Sequence, residues 1–127
     1  MKGLLDTHTF LWWDNEPSKL SATVLAFFQN PANTLLLSVV SVWEILIKGQ
    51  LGKYTLRSPL PIILTHQQAN GIVILPVTLD HVLATANLPM LHKDPFDRLL
   101  IAQANAERAA LLTADPIIAR YPVQVLW

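Results

Sequence analysis

The chain has 127 residues, 52% of them hydrophobic, with nine basic and nine acidic side chains and a formal net charge of zero. That length supports one domain with a core of ordinary size, and the absence of cysteine excludes disulfides and thiolate metal sites. Neutrality removes any bulk electrostatic reason to expect a polyanionic partner, although assigning four of the nine acids to a metal would leave five against nine bases. Mean hydropathy is high at +0.38. Even so, the longest apolar stretches, such as 35–37 and 72–75, fall far short of the roughly 18 residues that span a bilayer. Asp6, His8 and Asp14 interrupt any secretory segment after Lys2, so the expected address is the cytoplasm.

In chain order, short apolar runs at 4–5, 35–38, 72–75, 111–113 and 123–126 alternate with segments of helical periodicity. Helices are predicted over 18–29, 41–51, 61–69, 79–86 and 95–109, several of them opened by Ser, Thr or Asp followed by proline or an acid. The runs are too apolar to alternate in and out, so they read as strands buried on both faces. That pattern predicts a three-layer α/β/α fold over residues 1–127, with a central, mainly parallel sheet. Gly49, Gly52, Pro59 and Pro61 break the middle into a helical hairpin rather than a linker.

Four acids lie in apolar surroundings. Asp6 ends the first strand, Glu44 sits in Val42-Trp43-Glu44-Ile45, Asp97 in Phe96-Asp97-Arg98-Leu99, and Asp115 follows Leu112-Thr113-Ala114. In doubly wound sheets, ligands bind beyond the carboxyl ends of the strands, and all four acids can reach that one edge. Each also has a structural explanation. Asp94-Pro95-Phe96-Asp97 is what a helix start requires, with Asp94 as N-cap, and Asp115-Pro116 repeats the logic. Ser41 and Glu44 match a capping box, and Glu44 with Lys48 has the spacing of an i, i+4 ion pair. Asp6 could cap a short helix over 7–13. Separate caps predict scattered acids, whereas a metal site predicts convergence.

The four histidines show no paired helical ligand spacing, which disfavours a zinc hydrolase. No Gly-rich phosphate loop, Gly-x-Ser-x-Gly elbow or cysteine nucleophile is present. Phe10, Trp12 and Trp13 form a dense aromatic group, which reads as core or as an interface for a second subunit.

Taken together, Leu4-Leu5-Asp6-Thr7-His8, Ser41-Val42-Trp43-Glu44-Ile45, the run from His92 to Ala104 and Leu112-Thr113-Ala114-Asp115 resemble the PIN domain, specifically its VapC-type toxin ribonucleases. The resemblance spans nearly the whole chain and rests on the order and spacing of the pieces. It implies an acidic set of Asp6, Glu44, Asp97 and Asp115, with Thr113 as a hydroxyl helper and Asp94 as a neighbour. It also implies a hard divalent ion, Mg²⁺ or Mn²⁺, with Asp6 and Asp97 as principal ligands and Glu44 as a further ligand or the group that orients the attacking water. Lys48, Lys93 and Arg98 become candidate phosphate contacts. The implied substrate is single-stranded or looped RNA, and the implied partners are a cognate antitoxin and a second copy of the chain.

Two readings from other classes compete. A receiver-type signalling domain needs an acid beside Asp6 and a lysine at the end of a late strand, and neither is present. A non-catalytic RNA-binding or protein-interaction module of the same fold would leave the acids apart.

Overall fold

The computed structural model describes all 127 residues. Five strands, β1 (Lys2–Leu5), β2 (Thr34–Ser38), β3 (Ile72–Leu75), β4 (Ala110–Leu112) and β5 (Val125–Leu126), form one sheet in the order β3-β2-β1-β4-β5. Every pairing is parallel. Six helices cover the sheet: α1 (Thr7–Asn15), α2 (Ala22–Gln29), α3 (Val39–Gln50), α4 (Leu60–Ala69), α5 (Leu79–Ala84) and α6 (Pro95–Glu107). None is long and apolar enough to cross a membrane.

The alternation of side chains along each strand divides the core between the two faces. Leu4, Leu36 and Leu111 pack with Leu100, Ile101 and Ala104 of α6 on one face. Leu5, Leu35, Leu37 and Leu112 pack with Phe10, Phe27, Ile45 and Ile63 on the other. Parallel strands covered on both sides have no polar face to expose, which is why the runs read as unbroken apolar segments. Gly3 marks the closest approach: a Cβ there would lie 2.6 Å from the Phe27 ring.

Several boundaries differ from the sequence expectation. The helix expected over 18–29 is a single 3₁₀ turn, Pro17–Lys19, followed by α2, whose N-cap is Ser21. Helix α3 starts at Val39 because Ser38, not Ser41, accepts the first free amide, from Val40 at 3.0 Å. Ser41 therefore lies inside the helix, and the expected Ser41–Glu44 capping box is absent. Helix α6 ends at Glu107, where Arg108 turns left-handed with φ 54°. The aromatic group is not an open face. Phe10 is fully buried, Trp13 stacks on Phe28 with centroids 4.4 Å apart, and Trp12 is half-buried against Trp127.

The chain runs outward from β1 through β2 to β3, then returns to β4 on the other side of β1. That reversal opens a crevice at the carboxyl ends of β1 and β4, where Asp6 and Thr113 emerge side by side.

Candidate active site

Above this crevice is a cleft of about 380 Å³, lined by Asp6, Glu44, Asp94, Asp97 and Asp115 together with Thr7, His8, Trp12, Lys48 and Ala114. The four sequence-predicted acids therefore share one hollow, and Asp94 joins them.

Asp6 is 7% exposed and is held from two sides. Its Oδ1 accepts the Thr9 amide at 2.8 Å, so it caps α1, while Oδ2 accepts a short hydrogen bond from the Thr113 hydroxyl. Capping and site membership are thus not alternatives for this residue. Thr9 anchors the same corner by donating to the Leu112 carbonyl at 2.8 Å. Burial raises the Asp6 pKa against the opposing effect of the Thr113 and Thr9 hydrogen bonds.

Glu44, 3% exposed, projects from the second turn of α3. Thr7 Oγ1 donates to its Oε1 at 2.6 Å and also lies 3.1 Å from Ser41 Oγ. Lys48 makes a short ion pair with Oε2. The expected i, i+4 pair exists, but it faces the cleft rather than a solvated surface. Burial of the Lys48 ammonium is outweighed by Glu44, and its pKa is raised.

Asp97 lies in the first turn of α6, whose N-cap Asp94 accepts the Phe96 and Asp97 amides at 2.9 and 3.2 Å. Burial and the neighbouring Asp94 charge push the Asp97 pKa up to about 7, against the hydrogen bond from His92. The contact is His92 Nε2 to Asp97 Oδ2 at 3.2 Å. His92 is itself fixed by Tyr121, whose hydroxyl is 2.8 Å from Nδ1. Asp115 is half-exposed at the mouth, where its Oδ1 accepts the Ile117 amide at 2.8 Å.

The candidate phosphate contacts separate. Lys48 lines the cleft, whereas Lys93 and Arg98 line a different hollow. Arg98 uses its guanidinium on the Pro89 and Thr85 carbonyls, at 2.8 and 3.0 Å, and on the Tyr121 hydroxyl at 3.2 Å. Its position braces the segment that carries His92. Sequence reasoning missed Thr7, Ser41 and His92 as partners of the acids, and the available signal was weak: hydroxyls near an acid and a histidine five residues before another.

Can these residues hold a metal? The donor set is all oxygen, which suits a hard cation, and two of its carboxylates have pKa values raised by burial or like charge, a cost that a cation would relieve. No three of the acids stand close enough to share one ion as they lie. Glu44 is turned to Thr7 and Lys48, and Asp97 to His92, so closing on an ion means exchanging those partners.

The PIN domain family model matches residues 3–124. The chain belongs to the PIN domain family. No curated protein sequence matches it. Among solved structures, this PIN domain superimposes on VapBC2 from Rickettsia felis, bound to a DNA fragment from its promoter, with a TM-score of 0.73 and 18% identity over 100% of this chain and 98% of the other. It matches DNA-bound VapBC from Salmonella typhimurium with a TM-score of 0.68 and 14% identity, covering 100% and 97% of the two chains. For VapBC-1 from nontypeable Haemophilus influenzae the values are 0.67 and 21%, over 99% and 97%. At these identities the likeness is one of fold.

Proposed function

We propose that this PIN domain is the toxin of a toxin-antitoxin pair, a VapC-type endoribonuclease that hydrolyses RNA phosphodiesters in the cytoplasm with Mg²⁺ or Mn²⁺. The observation that carries the reading is that Asp6, Glu44, Asp97 and Asp115 line one cleft at the carboxyl edge of the sheet. Five carboxylates in a hollow of this size repel one another, and that cost calls for a purpose. The antitoxin partner is proposed from the solved relatives, which are VapBC complexes matched over almost their full length.

Asp6 and Asp97 would be the principal ligands, and Glu44 a third ligand or the group that orients water. When bound, the ion would supply a water acidic enough to give hydroxide, the nucleophile, and charge to offset the phosphate. The protein's own residues set the geometry. Thr113 and the Thr9 amide fix both oxygens of Asp6, so it presents its remaining lone pairs in one direction. Thr7, next to Asp6 in the chain, holds Glu44 on the same wall, and Lys48 stands where it can exchange Glu44 for a phosphate oxygen. His92 restrains Asp97, whose pKa is raised to about 7, so that binding a cation would favour release of its proton. A homodimer is also proposed. Because Phe10 and Trp13 are spent inside the fold, the pairing surface would draw on exposed apolar side chains such as Trp43 and Leu46 of α3 or Leu79 and Leu83 of α5.

The test is cleavage of a panel of structured RNAs by the antitoxin-free protein with Mg²⁺, Mn²⁺ or EDTA, beside Asp6→Asn. Metal-dependent cutting that vanishes in the variant is the expected result. A folded, metal-binding protein that cuts none of them would instead mark a non-catalytic binding module of this fold.

A further inference from the structure

A second hollow of about 330 Å³ adjoins the acidic cleft and shares two wall residues with it, His8 and Trp12. Its chemistry is the reverse of the cleft's. The cleft sets five carboxylates against Lys48, whereas this groove carries Lys19, Lys53 and Arg57 against Asp14 and Glu16. Both groove acids are already neutralised: Arg57 contacts the two Asp14 oxygens at 3.2 and 3.3 Å, and Lys19 pairs with Glu16 at 3.2 Å. Lys53 is exposed and forms no ion pair, so it holds the uncompensated charge.

The groove is also aromatic. His8 lies 5.8 Å from the Trp12 ring and 5.9 Å from Tyr54, and Trp12 packs against Trp127 at 5.8 Å. Lys19 and Lys48 sit over the Trp12 and Tyr54 rings at 5.9 and 5.7 Å. The Tyr54 hydroxyl is buried in this wall near Lys48. On the other flank, the hollow that holds Lys93 and Arg98 shares no residue with the cleft and has no aromatic side chain.

We propose that this groove is a nucleotide-binding track, in which unpaired bases of a single-stranded RNA stack on Trp12 and His8 while Lys53 contacts the phosphate leading into the acidic cleft. This inference rests on the ribonuclease reading. Cation-flanked aromatic rings are the recurrent means of holding single strands without base readout, because every base offers a π face. An acidic cleft also repels a polyanion, so a strand needs a cationic approach that ends beside the carboxylates. Unlike the hollow of Lys93 and Arg98, this groove offers both in contact with the cleft wall.

The experiment is fluorescence anisotropy of a labelled single-stranded RNA oligonucleotide with the full chain in EDTA, which prevents turnover, repeated across a salt series. Lys53→Glu should weaken binding about tenfold and flatten the salt slope by about one ion. Trp12→Ala should weaken it about fivefold to a hundredfold, with Trp12→Phe restoring most of the loss, since phenylalanine still stacks. Lys2→Ala, which removes a cation at the start of β1, the end of the strand away from Asp6, should lose no more than about twofold, the share any distant charge contributes. Circular dichroism on each variant separates misfolding from lost contact. RNA binding that both Lys53→Glu and Trp12→Ala leave unchanged overturns the track and leaves the ribonuclease reading standing. Wild-type protein that neither binds nor cuts RNA overturns both.

Discussion

The two walls of the acidic cleft are built differently. On the β1 and α3 wall, Asp6 and Glu44 are almost fully buried, and their oxygens are bound to Thr9, Thr113, Thr7 and Lys48. On the α6 wall, Asp97 is half-buried beside a second carboxylate and has one side-chain partner, His92. The first wall is rigid because strand ends and helix starts fix it from several directions. The second is less constrained, because Asp97 has a single side-chain partner and that partner, His92, lies outside any helix or strand. A site that must exchange substrate and product gains from having one wall of each kind.

The largest effect should come from removing either principal ligand. Asp6→Asn and Asp97→Asn should each lower metal-dependent cleavage about 10³-fold, the equivalent of the several kcal/mol that a bound ion contributes to transition-state charge. Single-turnover rates at saturating metal check this, and a loss confined to one wall would show that the other only shapes the cleft.

The partners sharpen the contrast. Thr113→Val should cost activity or metal affinity nearer 100-fold and His92→Gln nearer tenfold, within the range for groups that orient ligands. The reason is exposure: Asp97 can recruit water in place of His92, and buried Asp6 cannot replace Thr113. Metal titrations of the two variants decide it, since equal losses would erase the distinction between the walls.

Stability should vary with pH in the sense set by Asp97. Its pKa rises from 3.8 to about 7 on folding, so the folded state holds a proton that the unfolded state has released. That favourable contribution is full below 3.8 and fades as pH rises through 7, above which the charged carboxylate only costs. In EDTA at pH 8, Asp97→Asn should therefore stabilise the protein by on the order of 2 kcal/mol after allowance for partial exposure, with no gain at pH 3. Thermal melts at both pH values, with and without Mg²⁺, measure it; the ion should raise Tm in the wild type and not in the variant.

The smallest effect concerns Arg98. Arg98→Lys should cost about 1 kcal/mol of stability for the carbonyl contacts it loses, with little change in RNA affinity, because the guanidinium faces loop carbonyls rather than the cleft. An RNA affinity loss larger than that of Lys48→Ala would reverse this assignment.

Much of the fold was legible because parallel strands covered on both faces leave a plain record: five apolar runs, helical segments between them, and caps such as Asp94-Pro95 that lie where the sequence puts them. Helix α3 was misplaced by two residues because Ser38 and Ser41 are equally good caps locally, and only the end of β2 decides between them. The acids were legible as anomalies, charged groups in apolar surroundings. Their partners were not. Thr7 to Glu44 spans 37 positions and Thr113 to Asp6 spans 107, distances over which no local pattern operates. For the same reason the aromatic group could be read as core or as an interface, because Trp13 finds Phe28 and Gln67 only after α1, α2 and α4 have packed.

The sequence by itself determined which residues could form strands and helices and which acids lay in apolar surroundings, because hydrophobic periodicity and capping act within a few residues. Tertiary structure alone decided that those acids meet over one crevice, that Arg98 braces a loop rather than facing the cleft, and that an aromatic, cationic groove opens beside the carboxylates. Those outcomes depend on the order of strands in the sheet and on how helices dock against it, which are set by packing summed over the whole chain.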